Sequence, residues 1–285
     1  MLTIRDIQKK TVDYFSGKGV PGPKLDADLL IAHVLGLQRL QLYLDIDRPL
    51  SEAQLNQLRP LVKRRANREP LQYILGTSNF CGINLKVDAR ALIPRPETEE
   101  LIELIRQRVC PTPERILDLG TGSGAIALAL AVMFPGAEVW ATDQSTAALQ
   151  LAQENAEICV SANRIHFRQG SWWEALPAGQ QFDLIVSNPP YLSEAELQTA
   201  APEVAANEPE IALVSGPDGL NDLRQIIAAA DRHLAPGGLI ALETGIAQHR
   251  ELDQLVHATG LAGQGLSDMS GRPRFYFATS RAATS

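Results

Sequence analysis

The chain has 285 residues, 45% of them hydrophobic, and a formal net charge of −7. That length supports one large or two moderate domains, and the hydrophobic share is ordinary for a soluble globular protein. No apolar run reaches the length of a bilayer span, which excludes a helical membrane protein, and three widely spaced cysteines (Cys81, Cys110, Cys159) lack metal spacing and exclude a disulfide framework.

The opening residues Met1-Leu2-Thr3-Ile4-Arg5-Asp6 lack a basic segment followed by an apolar core, so no signal peptide is read there and a cytoplasmic location is expected. Residues 1–80 carry twelve Lys/Arg against eight Asp/Glu, a net of +4, and the remainder has a net of −11. A split of this kind marks either a partner-facing module or an ordinary solvated helical surface.

Residues 1–76 read as a helical domain. Lys24 to Leu35 repeats its apolar positions at helical spacing, Gly36 is a stop, and Gly17, Gly19, Pro21, Gly22 and Pro23 form the loop before it. Ser51 is a good N-cap, and Pro60 predicts a kink or two short helices between Glu52 and Arg68. Residues 77–93 alternate apolar positions around a glycine and read as a β-hairpin linker. The third domain, 94–285, begins at Pro94-Arg95-Pro96, with a helix over Thr98–Arg108. Strands at Ile116–Leu119, Glu138–Thr142, Arg164–Arg168, Asp183–Ser187 and Leu239–Glu243 then alternate with helices at Ala125–Phe134, Thr146–Val160 and Leu220–Leu234. Pro236-Gly237-Gly238 reads as a turn. The alternation predicts an α/β fold with an open, mostly parallel sheet covered by helices on both faces.

The chemistry sits where strands end. Phe182 to Ser187 runs into Asn188-Pro189-Pro190-Tyr191. Two prolines cannot donate to a ladder, so pairing stops there and the backbone stays extended and stiff. An amide and an aromatic ring held on such a kink suit a planar group bearing NH2. Asp118-Leu119-Gly120-Thr121-Gly122-Ser123-Gly124 follows the first strand of the alternating region. Its glycines admit a ligand close to the backbone, but their spacing departs from the dinucleotide fingerprint. Asp143 ends the next strand, where a carboxylate can accept both hydroxyls of a ribose; its alternative role is a helix cap. Together these features fit S-adenosyl-L-methionine, with S-adenosyl-L-homocysteine as product. Asp118 would attract the cofactor's amine or brace the glycine loop. Trp172 is the candidate adenine wall, with Trp173 given to packing. The five histidines are scattered and read as structural.

The order of glycine loop, ribose acid and Asn-Pro-Pro-Tyr resembles the class I (Rossmann-like) S-adenosylmethionine-dependent methyltransferases, in the subset that acts on planar nitrogens. Arg68 to Gly76, Leu92 to Glu99, Pro209 to Leu220 and Leu234 to Gly245 narrow the likeness to the HemK/PrmC family of release factor N5-glutamine methyltransferases, over essentially the whole chain. The resemblance implies that Gly120, Thr121, Gly122, Ser123, Gly124, Asp143, Trp172 and Asn188 meet the cofactor. It implies that Asn188, Pro189, Pro190 and Tyr191 hold the glutamine amide of a Gly-Gly-Gln loop in class 1 peptide chain release factors. The helical domain is then expected to help bind the release factor, with no metal, no membrane and a monomeric enzyme. Catalysis is expected from Asn188 Oδ1 and the Pro189 carbonyl as acceptors, with Tyr191 as cover. Glu97 and Glu99 serve either as first-turn acids or beside a lid at Pro94-Arg95-Pro96. The competing reading is an adenine N6-methyltransferase acting on nucleic acid. It needs a basic groove, for which only Lys63-Arg64-Arg65 and Arg68 offer charge. A nicotinamide oxidoreductase is disfavoured by the glycine spacing.

Overall fold

The structure, a computed structural model, describes residues 2–159 and 164–280. The chain divides into two units: residues up to Thr77 together with Ala201–Asn207, and Ser78–Ala200 together with the chain from Glu208 onward.

The first unit holds α1 (Ile4–Gly17), α2 (Pro23–Leu35), α3 (Arg39–Leu44), α4 (Glu52–Ala66) and α5 (Leu71–Leu75). Thr3 with Asp6, and Ser51 with Gln54, form capping boxes that satisfy the first amides of α1 and α4. Gly36 ends α2 in the left-handed conformation. Phe15, Leu30, Ile31 and Leu42 are buried at the centre. α4 is one helix with Pro60 inside it, so of the two expected outcomes, a kink or two short helices, the division does not occur. Pro60 is exposed and removes a single backbone donor, while Leu55 and Leu58 bury the opposite side.

The three arginines of this unit's basic cluster are internally paired. Arg65, 4% exposed, donates to Asp26 (2.7 Å) and Glu203 (2.9 Å). Arg68 pairs with Glu203 (2.6 Å), and Arg64 pairs with Glu69. Little of this charge is left to track a phosphate backbone.

The second unit opens with a hairpin, β1 (Thr77–Phe80) and β2 (Ile83–Lys86), turned by Cys81 and Gly82, both at positive φ as a two-residue hairpin turn requires. Next come α6 (Pro96–Arg108), β3 (Arg115–Leu119), α7 (Ala125–Met133), β4 (Glu138–Asp143), α8 (Thr146–Ile158), β5 (Ile165–Gln169) and β6 (Phe182–Ser187). The expected end of α8 at Val160 lies outside the described residues. After α9 (Glu194–Thr199) and α10 (Pro202–Ala205), which belongs to the first unit, follow α11 (Asn221–His233), β7 (Leu234–Glu243), α12 (His249–Thr259), β8 (Ala262–Ser267) and β9 (Pro273–Thr279).

The sheet order is β5-β4-β3-β6-β7-β9-β8, with β3 to β7 parallel and the last two strands antiparallel. Along β3, Ile116 faces the core shared with α6, α7 and α8, and Leu117 and Leu119 face the core shared with α11 and α12. That alternation clothes both faces of the sheet, as the fold class requires. Pro236-Gly237-Gly238 keeps the turn expected from the sequence, set within the ten-residue β7, where residues 235–238 stand against Asp183 alone. A register shift opposite Phe182 and Leu184 absorbs it as a bulge, with Gly237 at φ 77°.

Register decides where the chemistry gathers. Leu119 pairs with Thr142 and with Ser187, and Ser187 pairs with Leu242. The next residues are Gly120, Asp143, Asn188 and Glu243, so four neighbouring strands end level. The chain enters the sheet at β3 and builds outward in both directions, and ligands of open α/β sheets bind at the carboxyl ends beside such a reversal.

Candidate active site

A cavity of about 110 Å³, partly open to solvent, lies at these strand ends. Its wall includes Gly120 to Ser123, Asp143, Trp172, Asn188 and Pro190.

Gly120, Gly122 and Gly124 all have positive φ, and Gly124 is the N-cap of α7. A Cβ on Gly120 would lie 3.3 Å from the Trp172 ring, so the indole closes directly on the loop. Asp143 accepts from Gly122 N (2.9 Å) and from Ser145 N (2.8 Å). The cap of α8 is Ser145, whose side chain accepts from Ala148 N. Asp143 therefore fastens the glycine loop to the end of β4 and still lines the cavity. Burial raises its pKa, against the pull of those two amides.

Asp118 is fully buried and is not part of the cavity wall. One oxygen accepts from Thr121 Oγ1 (2.6 Å) and Ala127 N (3.0 Å), which ties the loop to the first turn of α7. Its other oxygen has no hydrogen-bond partner. Burial pushes this carboxyl up to about 7, and the Asp143 charge adds to the effect. This geometry favours the bracing role over direct contact with a ligand.

The two tryptophans separate. Trp172 sits at φ 45°, lines the cavity, and donates Nε1–H to Asp222 Oδ1 (3.1 Å). A non-glycine residue there is strained, and the hydrogen bond and the contact with Gly120 hold it. Trp173 donates to Gln225 O and stacks on His233 at 4.6 Å, outside the cavity wall.

In Asn188-Pro189-Pro190-Tyr191, Pro189 is buried, and Asn188 and Pro190 line the cavity. Asn188 Nδ2 donates to Thr98 Oγ1 (3.1 Å), and Asn188 Oδ1 has no protein donor among the described residues. Tyr191 donates its hydroxyl to Glu243 Oε1 (3.2 Å), its carbonyl accepts from Gln248 Nε2 (3.0 Å), and the Arg274 guanidinium lies 5.7 Å from its ring centre. Burial raises the Tyr191 pKa, with the Glu243 charge second, so the phenol stays neutral.

Thr98, Glu243 and Glu208 were not singled out as site residues. Glu208, buried, accepts from Ile93 N (3.3 Å) and pairs with Arg95, fixing the segment whose Ala91, Leu92 and Pro94 line the cavity. Glu99 accepts from Cys81 N, and with Glu97 it sits in the first turn of α6, away from the cavity wall. The available signal for Glu243 was its place at a strand's carboxyl end. No group of three side chains able to hold a metal occurs among the described residues.

The residues present suit a nucleoside: a backbone cradle at Gly120 to Ser123, the Asp143 carboxylate at the end of β4 and the Trp172 indole on one cavity wall. Residues 6–76 match the family of PrmC N-terminal domains, and residues 96–216 match the methyltransferase small domain family. The release factor glutamine methyltransferase of Geobacter sulfurreducens is 45% identical over 258 residues, covering 90% of this chain and 89% of that protein. The one from Deinococcus radiodurans is 40% identical over 275 residues, covering 96% and 97%. Among solved structures, the hMettl16 catalytic domain in complex with the MAT2A 3′UTR hairpin 6 superposes with a TM-score of 0.57 at 17% identity, over 82% of this chain and 94% of that one. The T. thermophilus 16S rRNA N2 G1207 methyltransferase in complex with AdoMet and guanosine gives 0.54 at 23%, over 72% and 50%. Both structural likenesses are of fold.

Proposed function

Since the chain belongs to the release factor glutamine methyltransferase family, we propose that it transfers a methyl group from S-adenosyl-L-methionine to the side-chain amide nitrogen of the glutamine in the Gly-Gly-Gln loop of class 1 release factors. The observation that carries this reading is the single cavity bounded by the glycine loop, Asp143 and Trp172 on one side and by Asn188 and Pro190 on the other. The cofactor supplies an electrophilic methyl on a sulfonium and leaves as S-adenosyl-L-homocysteine.

The protein's residues do the rest. An amide nitrogen is a weak nucleophile because its lone pair is delocalised. Asn188 Oδ1 accepts one N–H and the Pro189 carbonyl the other, which turns the nitrogen toward the methyl. As the N–C bond forms, positive charge grows on nitrogen, and both acceptors bind it more strongly than they bound the neutral amide. Tyr191 covers the amide face, and Pro190 stiffens the strand end. Positioning of this kind contributes on the order of 7–11 kcal/mol. The methylated amide cation is acidic and gives its proton to water, so no general base is required. The helical unit helps bind the release factor, and the enzyme works as a monomer in the cytoplasm.

Mass spectrometry of a purified class 1 release factor, incubated with enzyme and cofactor, tests the reading. One methyl on the Gly-Gly-Gln glutamine is expected. Labelled methyl on DNA or RNA, with an unmodified release factor in parallel, would overturn it.

A further inference from the structure

Asn188 is backed by a chain of groups from two other elements and from its own segment. Its Nδ2 donates to Thr98 Oγ1 on α6 (3.1 Å), and Thr98 Oγ1 donates to Glu243 Oε2 at the end of β7 (2.6 Å). The Tyr191 hydroxyl donates to the other oxygen of Glu243 (3.2 Å). Glu243 is 1% exposed and does not line the cavity. A threonine hydroxyl carries one proton, and a carboxylate can only accept. Thr98 therefore spends its proton on Glu243 and must accept from Asn188. Only the NH2 end of the asparagine amide can satisfy it. The Oδ1 end is left for the cavity.

The direction of this chain matters because an asparagine amide can be turned over. Turned over, Asn188 would present NH2 to an incoming NH2, donor against donor. We propose that Glu243 is a positioning residue for methyl transfer: acting through Thr98, it locks the Asn188 amide with Oδ1 toward the substrate nitrogen. The inference rests on the reading of Asn188 as the amide acceptor. Burial is the largest influence on Glu243 and raises its pKa, with Glu97 adding to it, against the Thr98 and Tyr191 hydroxyls and the Arg274 charge, which favour the carboxylate.

Replacing Glu243 with Met frees the Thr98 proton for Asn188 Oδ1 and turns the amide. Thr98→Val removes the acceptor altogether. Each change should lower kcat about 30-fold or more at saturating substrates, a fraction of what loss of an oxyanion donor costs. The double variant should be no worse than the poorer single one, because both break one chain. Thr98→Ser keeps the hydroxyl and should recover kcat to within about threefold of the parent, since only a methyl group is lost. Additive losses, or a Thr98→Val enzyme near parental kcat, would overturn the proposal.

A second readout needs no release factor. The Asn188 side-chain NH2 resonance, identified by its loss in Asn188→Asp, should be protected from exchange in the parent and in Thr98→Ser. It should lose that protection in Thr98→Val, and an unchanged resonance there would also sink the proposal. A parent enzyme that fails to methylate the Gly-Gly-Gln glutamine would instead sink the functional reading, with the resonance still reporting on the lock.

Discussion

Asp143 does two jobs with one carboxylate, and they separate on mutation. Its bonds to Gly122 N and Ser145 N hold the loop, and in the proposed reading its place on the cavity wall offers acceptors to ribose hydroxyls. Asp143→Ala should weaken cofactor binding at least tenfold, about 1.4 kcal/mol, by calorimetry. Asn188→Ala should leave that affinity within a few fold and lower kcat by about 10²–10³. Equal effects of both changes on affinity would show that the cavity is not divided between cofactor and amide as argued. Asp118 makes a different prediction. Its folded pKa of about 7 lies above the ordinary value of 3.8, so folding takes up a proton between those limits. Its favourable contribution is complete below the unfolded pKa and is lost as pH rises through about 7. Thermal stability of the cofactor-free enzyme should therefore fall between about pH 4 and pH 7 and level off above that, and Asp118→Asn should flatten that slope. An identical slope in the variant would mean that Asp118 is ionised throughout.

At the scale of elements, Pro60 in α4 is the clearest test. The helix runs through it, so Pro60→Ala restores one donor and relieves the ring against the preceding turn. The helix-interior cost of proline is about 3 kcal/mol, offset in part by the unfolded-chain freedom that alanine adds, so about 1–2 kcal/mol of stabilisation is expected. Hydrogen exchange along α4 reads it, and no gain would mean that the helix is kinked to accommodate the ring. The sequence left both a kink and two short helices open here because propensity speaks for isolated helices, whereas the buried side of α4 outweighs one lost bond and keeps a single helix. Pro236-Gly237-Gly238 was legible as a turn, but not as an excursion inside one strand, β7. Turn chemistry is local, but β7 is fixed by its neighbours: a Cβ on Gly238 would meet Ala235 O at 2.8 Å and Phe182 O at 3.0 Å. The parallel strands, the glycine loop and Asn188-Pro189-Pro190-Tyr191 were legible because each carries its own local signature. Thr98 and Glu243 were not, because their roles arise from a 145-residue separation closed only by the register of the sheet and the packing of α6.

The same limit governs the whole molecule. A boundary read from sequence is one cut in the chain, yet the first unit also takes in Ala201–Asn207. An ion pair spanning more than a hundred residues leaves no periodicity to find. Glu203 supplies the link, accepting from Arg65 (2.9 Å) and from Arg68 at two atoms (2.7 and 2.6 Å), while Asn207 donates to Arg68 O (3.3 Å). Burial raises the Glu203 carboxyl, but the two guanidiniums outweigh it and hold the pKa at about 2. For an acid lowered in this way, the stability gained is present above the unfolded pKa and lost as pH falls toward about 2. The clasp therefore persists across the neutral and mildly acidic range. Removing Glu203 leaves Arg65, with 5% of its side chain exposed, with half its carboxylate partners. Breaking a buried pair by deleting one partner costs about 3–5 kcal/mol, and the partial exposure of Arg68 places Glu203→Ala near the low end. Glu203→Gln, which keeps the acceptor and drops the charge, should lose less. Chemical denaturation followed by hydrogen exchange in α4 measures both. A loss below about 0.5 kcal/mol for Glu203→Ala would place this clasp among surface pairs, and would remove the reason for counting Ala201–Asn207 with the helical unit.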